Sequence, residues 1–299
     1  MKYYIILFLK GMAMGIANVI PGVSGGTIAL ITNIYEDFIQ SLKSFNIHAL
    51  NLFLKGKIKE FILYTDLYFL LTVFGGSIIS VFSIAKLFKF LLNNYPILIW
   101  AFFFGLIVAS IYFVGKRIKV WNFKNIFILL IATITTFSIS FIEPAQQNEN
   151  LFFVFICGMI GIAGMMLPGL SGSFILILLG NYELLLVDAI IELNYKLLSI
   201  FVLGSLVGLI TFSNAIAWLL KKHKNEILSL LTGFILGSLF IIWPWKNIEN
   251  TIIIDGSEKV LSYSWHIPSN LDSETISAII LMIIGILAVY LIEKAGQKK

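Results

Sequence analysis

From Thr275 to Ile292 the chain runs without one charged side chain, and the stretches 67–85 and 97–114 do the same. Such runs are close to the roughly 20 residues that carry a helix across a bilayer. None shows a polar face at the helical period, so a large soluble core does not explain them. Only 12% of the residues are charged, against about 25% in a soluble domain. The fold expected is an all-α polytopic membrane protein. Cys157 is the single cysteine, which excludes an internal disulfide framework; beside Gly158 it reads as a small packing residue. The opening "MKYYIILFLK" resembles the charged and apolar regions of a signal peptide. It has no small-x-small cleavage site and runs into half of an internal repeat, so it is read as retained.

Two apolar segments break themselves, at 20–27 with "IPGVSGGT" and at 167–174 with "LPGLSGSF". A shift of 147 superimposes them, and Gly11, Met12, Pro21, Gly22, Ser24, Gly25, Ile28, Tyr35 and Glu36 fall on identical residues, nine in 26 ungapped positions. A weaker echo pairs "GLIVAS" from Gly105 with "GFILGS" from Gly233. The chain reads as a duplication. The first repeat, 1–142, holds a broken hairpin (3–40), an interfacial segment (41–65) and spans at 66–92, 96–116 and 123–142. After an extracellular connection at 143–150, the second repeat, 151–299, holds a hairpin (151–187), spans at 197–220, 226–243 and 275–294, and an extracellular loop or short hairpin at 244–274. Three spans per half put the second hairpin on the opposite membrane side from the first. The repeats are therefore expected to be inverted, as in many transporters.

Charge tests this topology. With the N-terminus in the cytoplasm, 16 of the 21 basic residues lie on or near the inner side, among them Lys55, Lys57, Lys59, Arg117, Lys221, Lys222 and Lys224. The outer connection "EPAQQNEN" has none. Basic loops stay inside, so both termini are expected to be cytoplasmic, in a multi-pass protein of the plasma membrane. The net charge of +5 is explained by that bias and not by nucleic-acid binding.

Helical rise sets the depth of the breaks. Lys10 to Pro21 spans roughly 15 Å, half of a hydrocarbon core of about 30 Å. Each hairpin is thus expected to be re-entrant, with its turn near the midplane. Backbone released there must be buried in protein or line a cavity. Gly11, Gly15, Gly158, Gly161 and Gly164 permit the close helix contact such burial needs. A helix that starts after Ser24 or Ser171 leaves its first amides unpaired, at the positive end of the helix dipole. Glycines 25, 26 and 172 let a ligand come close, and Ser24, Thr27, Ser171 and Ser173 add hydroxyls. Two such ends converging from opposite sides suit an anion such as phosphate. A packing kink is the plainer explanation of either break taken alone.

The segments "GMAMGIANVIPGVSGGTIALITNIYEDFI" and "GMIGIAGMMLPGLSGSFILILLGNYELL" resemble the PopT-type polyprenyl-phosphate transporter family over essentially the whole chain. The resemblance implies translocation of undecaprenyl phosphate, the lipid carrier of cell-wall synthesis, back to the inner leaflet of a bacterial membrane. The family's turn falls on Pro21, Gly22, Ser24 and Gly25, and again on Pro168, Gly169, Ser171 and Gly172; Ser173 stands where the first copy has Gly26. The partners implied are the polyprenyl phosphate and membrane lipids, with no nucleic acid and no cofactor; a homo-oligomer stays open.

Among other charges, Arg117, the only arginine, fits snorkelling at the inner interface or a bidentate phosphate contact. Lys86 and Lys89 lie near the outer end of a span, where the basic-loop bias does not predict them, and are candidates for capturing an anionic headgroup. Glu36 and Glu183 are candidates for proton coupling, ahead of Asp66 and Asp188. His48, His223 and His266 lack a second ligand at metal spacing, so no metal site is expected. The rival functions are a small-anion transporter or channel built on the same helix ends, a membrane lipid phosphatase, which no His near either turn supports, and a structural scaffold, which leaves the breaks unexplained.

Overall fold

The computed structural model describes residues 2–19, 24–139, 141–142, 144–254 and 257–296. In chain order the helices are α1 (Lys2–Val19), α2 (Gly25–Ile31), α3 (Tyr35–Lys43), α4 (Ile47–Leu54), α5 (Ile58–Tyr64), α6 (Leu67–Asn94), α7 (Pro96–Gly115), α8 (Phe123–Ile139), α9 (Leu151–Met166) and α10 (Gly172–Leu178). A π-helical segment, Leu184–Asp188, leads to α11 (Ala189–Ile191), α12 (Tyr195–Lys222) and α13 (Lys224–Ser238). The strands β1 (Lys246–Ile254) and β2 (Ser257–Trp265) precede α14 (Ser273–Gly296). Among the described residues, α6, α7, α12 and α14 are long and apolar enough to cross a membrane, and α1, α8 and α9 are shorter apolar helices. The chain is a helical membrane protein.

Two connecting segments carry structure of their own, and one of them adds strands to the helices. β1 and β2 pair antiparallel with Lys246 opposite Trp265, so the segment 244–274 holds the short hairpin rather than an irregular loop. Within 41–65 two short helices, α4 and α5, follow the end of α3. Gly56, at φ +69°, ends α4; its amide donates to the Phe53 carbonyl and the next, Lys57, to Leu52. That left-handed cap stops the helix. Ile47, Leu50, Phe53, Leu54 and Leu63 remain exposed on this pair.

The long helices pack in four close pairs: α1 with α6, α9 with α12, α7 with α14 and α8 with α13. Glycine sits at every seam. A Cβ on Gly11 would strike the Val73 carbonyl and one on Gly76 the Phe8 carbonyl; Gly158 and Gly204 stand in the same way against Phe201 and Phe155. Gly105 and Gly285 do this for α7 with α14, and Gly233 and Gly237 for α8 with α13. Small residues let helix backbones approach where no hydrophobic force distinguishes protein from lipid. Contacts advance together along both helices, Gly11 with Val73 then Gly15 with Ser77, and Gly233 with Leu129 then Gly237 with Thr133, so these helices run parallel.

Single residues make the sharp corners. Tyr95 alone joins α6 to α7 at φ −138°, ψ 50°, and Pro96 then opens α7. His223 alone joins α12 to α13 at φ −132°, ψ 50°. Left-handed residues recur at matching places: Asn33 and Gly180 after the short helices α2 and α10, and Asp66 and Leu193 before α6 and α12. All seven residues of α2 are buried, which keeps its backbone ends away from lipid as the bilayer demands.

Candidate functional site

The first break is closed by its own side chains. Ser24, extended at φ −110°, ψ 134°, caps α2. Its Oγ accepts the Gly26 amide at 3.1 Å, the Asn18 Oδ1 accepts the Gly25 amide at 2.7 Å, and the Thr27 amide donates to the Ser24 carbonyl at 3.0 Å. The expectation of unpaired amides therefore does not hold at α2. The cause is Asn18, whose amide reaches back across the break, together with ordinary serine capping. Pro21 and Gly22 lie outside the described residues.

The second break is built differently. Gly169 sits at φ +83° with the Phe234 carbonyl carbon 2.5 Å from where a Cβ would stand, so only glycine fits there. Ser171, at φ −113°, ψ 127°, makes no side-chain cap to α10. Its Oγ instead lies 2.8 Å from the Ser173 Oγ. Ser171 and Ser173 are half-buried, whereas Pro168, Gly169 and Gly172 are buried.

The fold brings the two breaks against each other. The Ser24 Oγ donates to the Leu167 carbonyl at 3.3 Å, and the Gly169 amide donates to the Thr27 Oγ1 at 3.1 Å. The Tyr35 hydroxyl donates to the Met166 carbonyl at 3.1 Å. Ser24, Thr27 and Tyr35 are buried at 2%, 0% and 1% exposure. Residues 131 to 143 positions apart in sequence thus form one polar junction in an apolar interior, where each hydrogen bond is costly to leave unmade.

The far ends of the short helices are held by different chemistry. At α2 the Arg117 Nη1 donates to the Leu30 carbonyl at 2.9 Å, and the Lys10 Nζ to the Thr32 carbonyl at 2.6 Å. Both cations meet the negative end of the helix dipole. The Arg117 Nη2 also pairs with the Glu293 Oε2 at 3.2 Å, which accepts from the Asn33 Nδ2 at 3.3 Å. At α10 the caps are neutral: the Ala145 amide donates to the Leu178 carbonyl at 2.8 Å. Asn181 exchanges two 2.8 Å bonds with the backbone of Asn148.

Of the remaining candidates, Glu36 forms an exposed ion pair with Lys224 at 2.7 Å, and half-buried Glu183 immediately precedes the π-helical segment. Lys86 and Lys89 lie on α6; their side chains are outside the described residues. Asn18, Asn33, Tyr35, Asn181 and Glu293 were not among the expected site residues. Glu293 offered a signal, a carboxylate at the close of the apolar run 275–292.

Residues 14–260 match the family model described as undecaprenyl phosphate translocase-like. A polyprenyl-phosphate transporter of Vibrio cholerae serotype O1 (strain ATCC 39315 / El Tor Inaba N16961) is 36% identical over 302 residues, covering 99% of this chain and 98% of the relative. A polyprenyl-phosphate transporter of Staphylococcus aureus (strain NCTC 8325 / PS 47) is 32% identical over 259 residues, 80% of this chain and 86% of the relative. No solved structure matches.

Proposed function

The chain belongs to the undecaprenyl phosphate translocase-like family, and from that membership we propose that it carries the headgroup of undecaprenyl phosphate across the bacterial plasma membrane, returning the carrier to the inner leaflet. It moves the lipid without changing it chemically. The two halves are inverted repeats with re-entrant hairpins, and both termini are cytoplasmic. The matched corners at Tyr95 and His223 support this arrangement, as do the matched glycine seams of α1 with α6 and α9 with α12. So does the exchange of partners between halves, α7 with α14 and α8 with α13.

The observation that carries the proposal is the junction of the two breaks, where Thr27 meets Gly169 and Ser24 meets Leu167. The phosphate passes there. Its first partners are the hydroxyls of Ser171 and Ser173, which bond only one bond's worth to each other and can both turn to donate to an anion. Hydrogen bonds to a charged acceptor are roughly twice as strong as neutral ones, so the exchange is favourable. Ser24, Gly25, Gly26 and Thr27 form the closed half, which must release Asn18 before its amides can serve. Reconstituted vesicles test the proposal. Polyprenyl phosphate should be transported, and polyprenyl alcohol and inorganic phosphate should not; equal handling of all three removes the headgroup site, and transport of phosphate alone makes the protein a small-anion carrier.

A further inference from the structure

Away from that junction, α4 and α5 form a closed pair beside the start of α6. The Asn46 Oδ1 accepts the amides of His48 and Ala49 at 2.9 and 3.2 Å and so caps α4. Its Nδ2 donates to the Tyr64 hydroxyl at 2.9 Å, which ties the head of α4 to the tail of α5. The Phe61 ring meets Phe45 and Phe53 edge to face, and the left-handed Gly56 lies in the turn between the helices. The pair is well fixed, yet the protein covers little of it. Only Ala49 and Leu52 of α4 are buried, and no residue of α5 is. Helices of eight and seven residues are marginal on their own in water, so the open face calls for a partner.

Chain connectivity decides what lies against that face. Two residues, Thr65 and Asp66, separate α5 from α6, and the apolar window of α6 begins at Leu67. They reach roughly 10 Å, so α5 cannot leave the bilayer surface where α6 enters. Ile47, Leu50, Phe53, Leu54 and Leu63 stay exposed, Ile47 at 78% and both Leu54 and Leu63 at 71%. The charge beside them has one sign. Residues 41–65 carry four lysines and a single acid, Glu60. Lys57 pairs with Glu60 at 2.9 Å. Lys55 and Lys59 are exposed, and among the described residues neither is paired with an acid.

We propose that α4 and α5 dock on the bilayer as a foot for anionic phospholipid, with the apolar face among the upper acyl chains and Lys55 and Lys59 holding lipid phosphates. Exposed apolar side chains flanked by unpaired lysines suit an interface whose headgroups are negative. The lysine stems lie along apolar surface while their ammonium groups reach outward. A lysine near such a surface favours it by about fivefold. Docking of this kind requires neither the transported substrate nor the orientation proposed above, since the foot belongs to whichever leaflet α6 enters.

Fluorescence quenching on the full chain in mixed vesicles tests the foot. Leu54→Cys takes an environment-sensitive label at an exposed position, and the native Cys157 is buried. The same label at Ile280→Cys, 51% exposed near the start of α14, is the comparison. Phosphatidylglycerol and phosphatidylcholine, each brominated near the head end of its chains, serve as quenchers in turn. At position 54 both should quench, phosphatidylglycerol about twofold or more strongly, and at position 280 the two should be equal. Lys55→Gln with Lys59→Gln should remove the preference and keep the quenching; Lys55→Arg with Lys59→Arg should retain both. No quenching at position 54 by either lipid would mean that protein or water covers the face, and would overturn the foot. So would equal quenching by the two lipids, the same preference at position 280, or a preference that survives the glutamine pair.

Discussion

Replacing Arg117 decides whether the only arginine serves the fold or the phosphate. Its guanidinium spans the Leu30 carbonyl at the end of α2 and the Glu293 carboxylate on α14, and so ties a short buried helix to the far end of the chain. Breaking a fully buried ion pair from one side costs about 3–5 kcal/mol. The Arg117 side chain keeps 26% exposure, so water screens part of this, and the expected loss for Arg117→Met is about 1–3 kcal/mol. Arg117→Lys should recover only part of it, because a single ammonium cannot hold both partners in the planar fork. Glu293→Gln still accepts from Arg117 and Asn33 and should cost about 1 kcal/mol. In the double variant Arg117→Met with Glu293→Leu, the losses should sum to less than the two singles, since both remove the same pair. Thermal unfolding in detergent reads the stability, and vesicle transport normalised to folded protein reads the function. An Arg117→Met protein that melts with the parent but transports nothing refutes the structural role and makes the guanidinium a phosphate ligand.

The two serines should separate in the same assays. Ser24→Ala removes the α2 cap and should cost about 1 kcal/mol of stability, whereas Ser171→Ala should leave melting unchanged and weaken phosphate binding by about 0.5–3 kcal/mol; the opposite pattern would exchange their roles. Gly25→Ala faces only the Asn18 side-chain amide and should fold, while Gly172→Ala meets the Gly161 carbonyl and should melt lower; equal melting would refute that packing. Cysteine probes in 143–150 should react from outside and probes in 221–225 from inside, and reaction from one side for both removes the inverted topology.

Much of the fold was legible because membrane insertion writes strong patterns. Uninterrupted apolar windows mark α6, α7, α12 and α14 directly. Glycines at 11, 15 and 158 announced close seams, and the helices they face, α6 and α12, do approach to backbone contact there. The hairpin at 246–265 was harder, since its strands carry no depth signal and a loop of that composition can stay irregular. The stop inside 41–65 depended on one left-handed residue, Gly56, within an otherwise helical pattern.

Side-chain destinations were the illegible part. Arg117 reads from its neighbours as one more cation in "GKRIK", yet its partners are Leu30 and Glu293, the latter 176 positions away. Lys246 stands in a segment of mixed charge, and only folding places it on the face of Trp100. The shared turns hid a second distinction. Under the shift that superimposes the breaks, Asn18 falls on Met165, so one break owns an amide side chain that the other lacks. That difference closes the Gly25 amide at 2.7 Å, while Ser173, standing where the first copy has Gly26, takes up the hydroxyl of Ser171, which makes no cap to α10. A phosphate entering this junction would compete with protein donors and acceptors at α2 but only with a hydroxyl pair at α10. On the proposed path the two turns, alike in their Pro-Gly and Ser-Gly, are therefore unequal halves, and that inequality would give transport an order of steps, α10 first and α2 after Asn18 lets go.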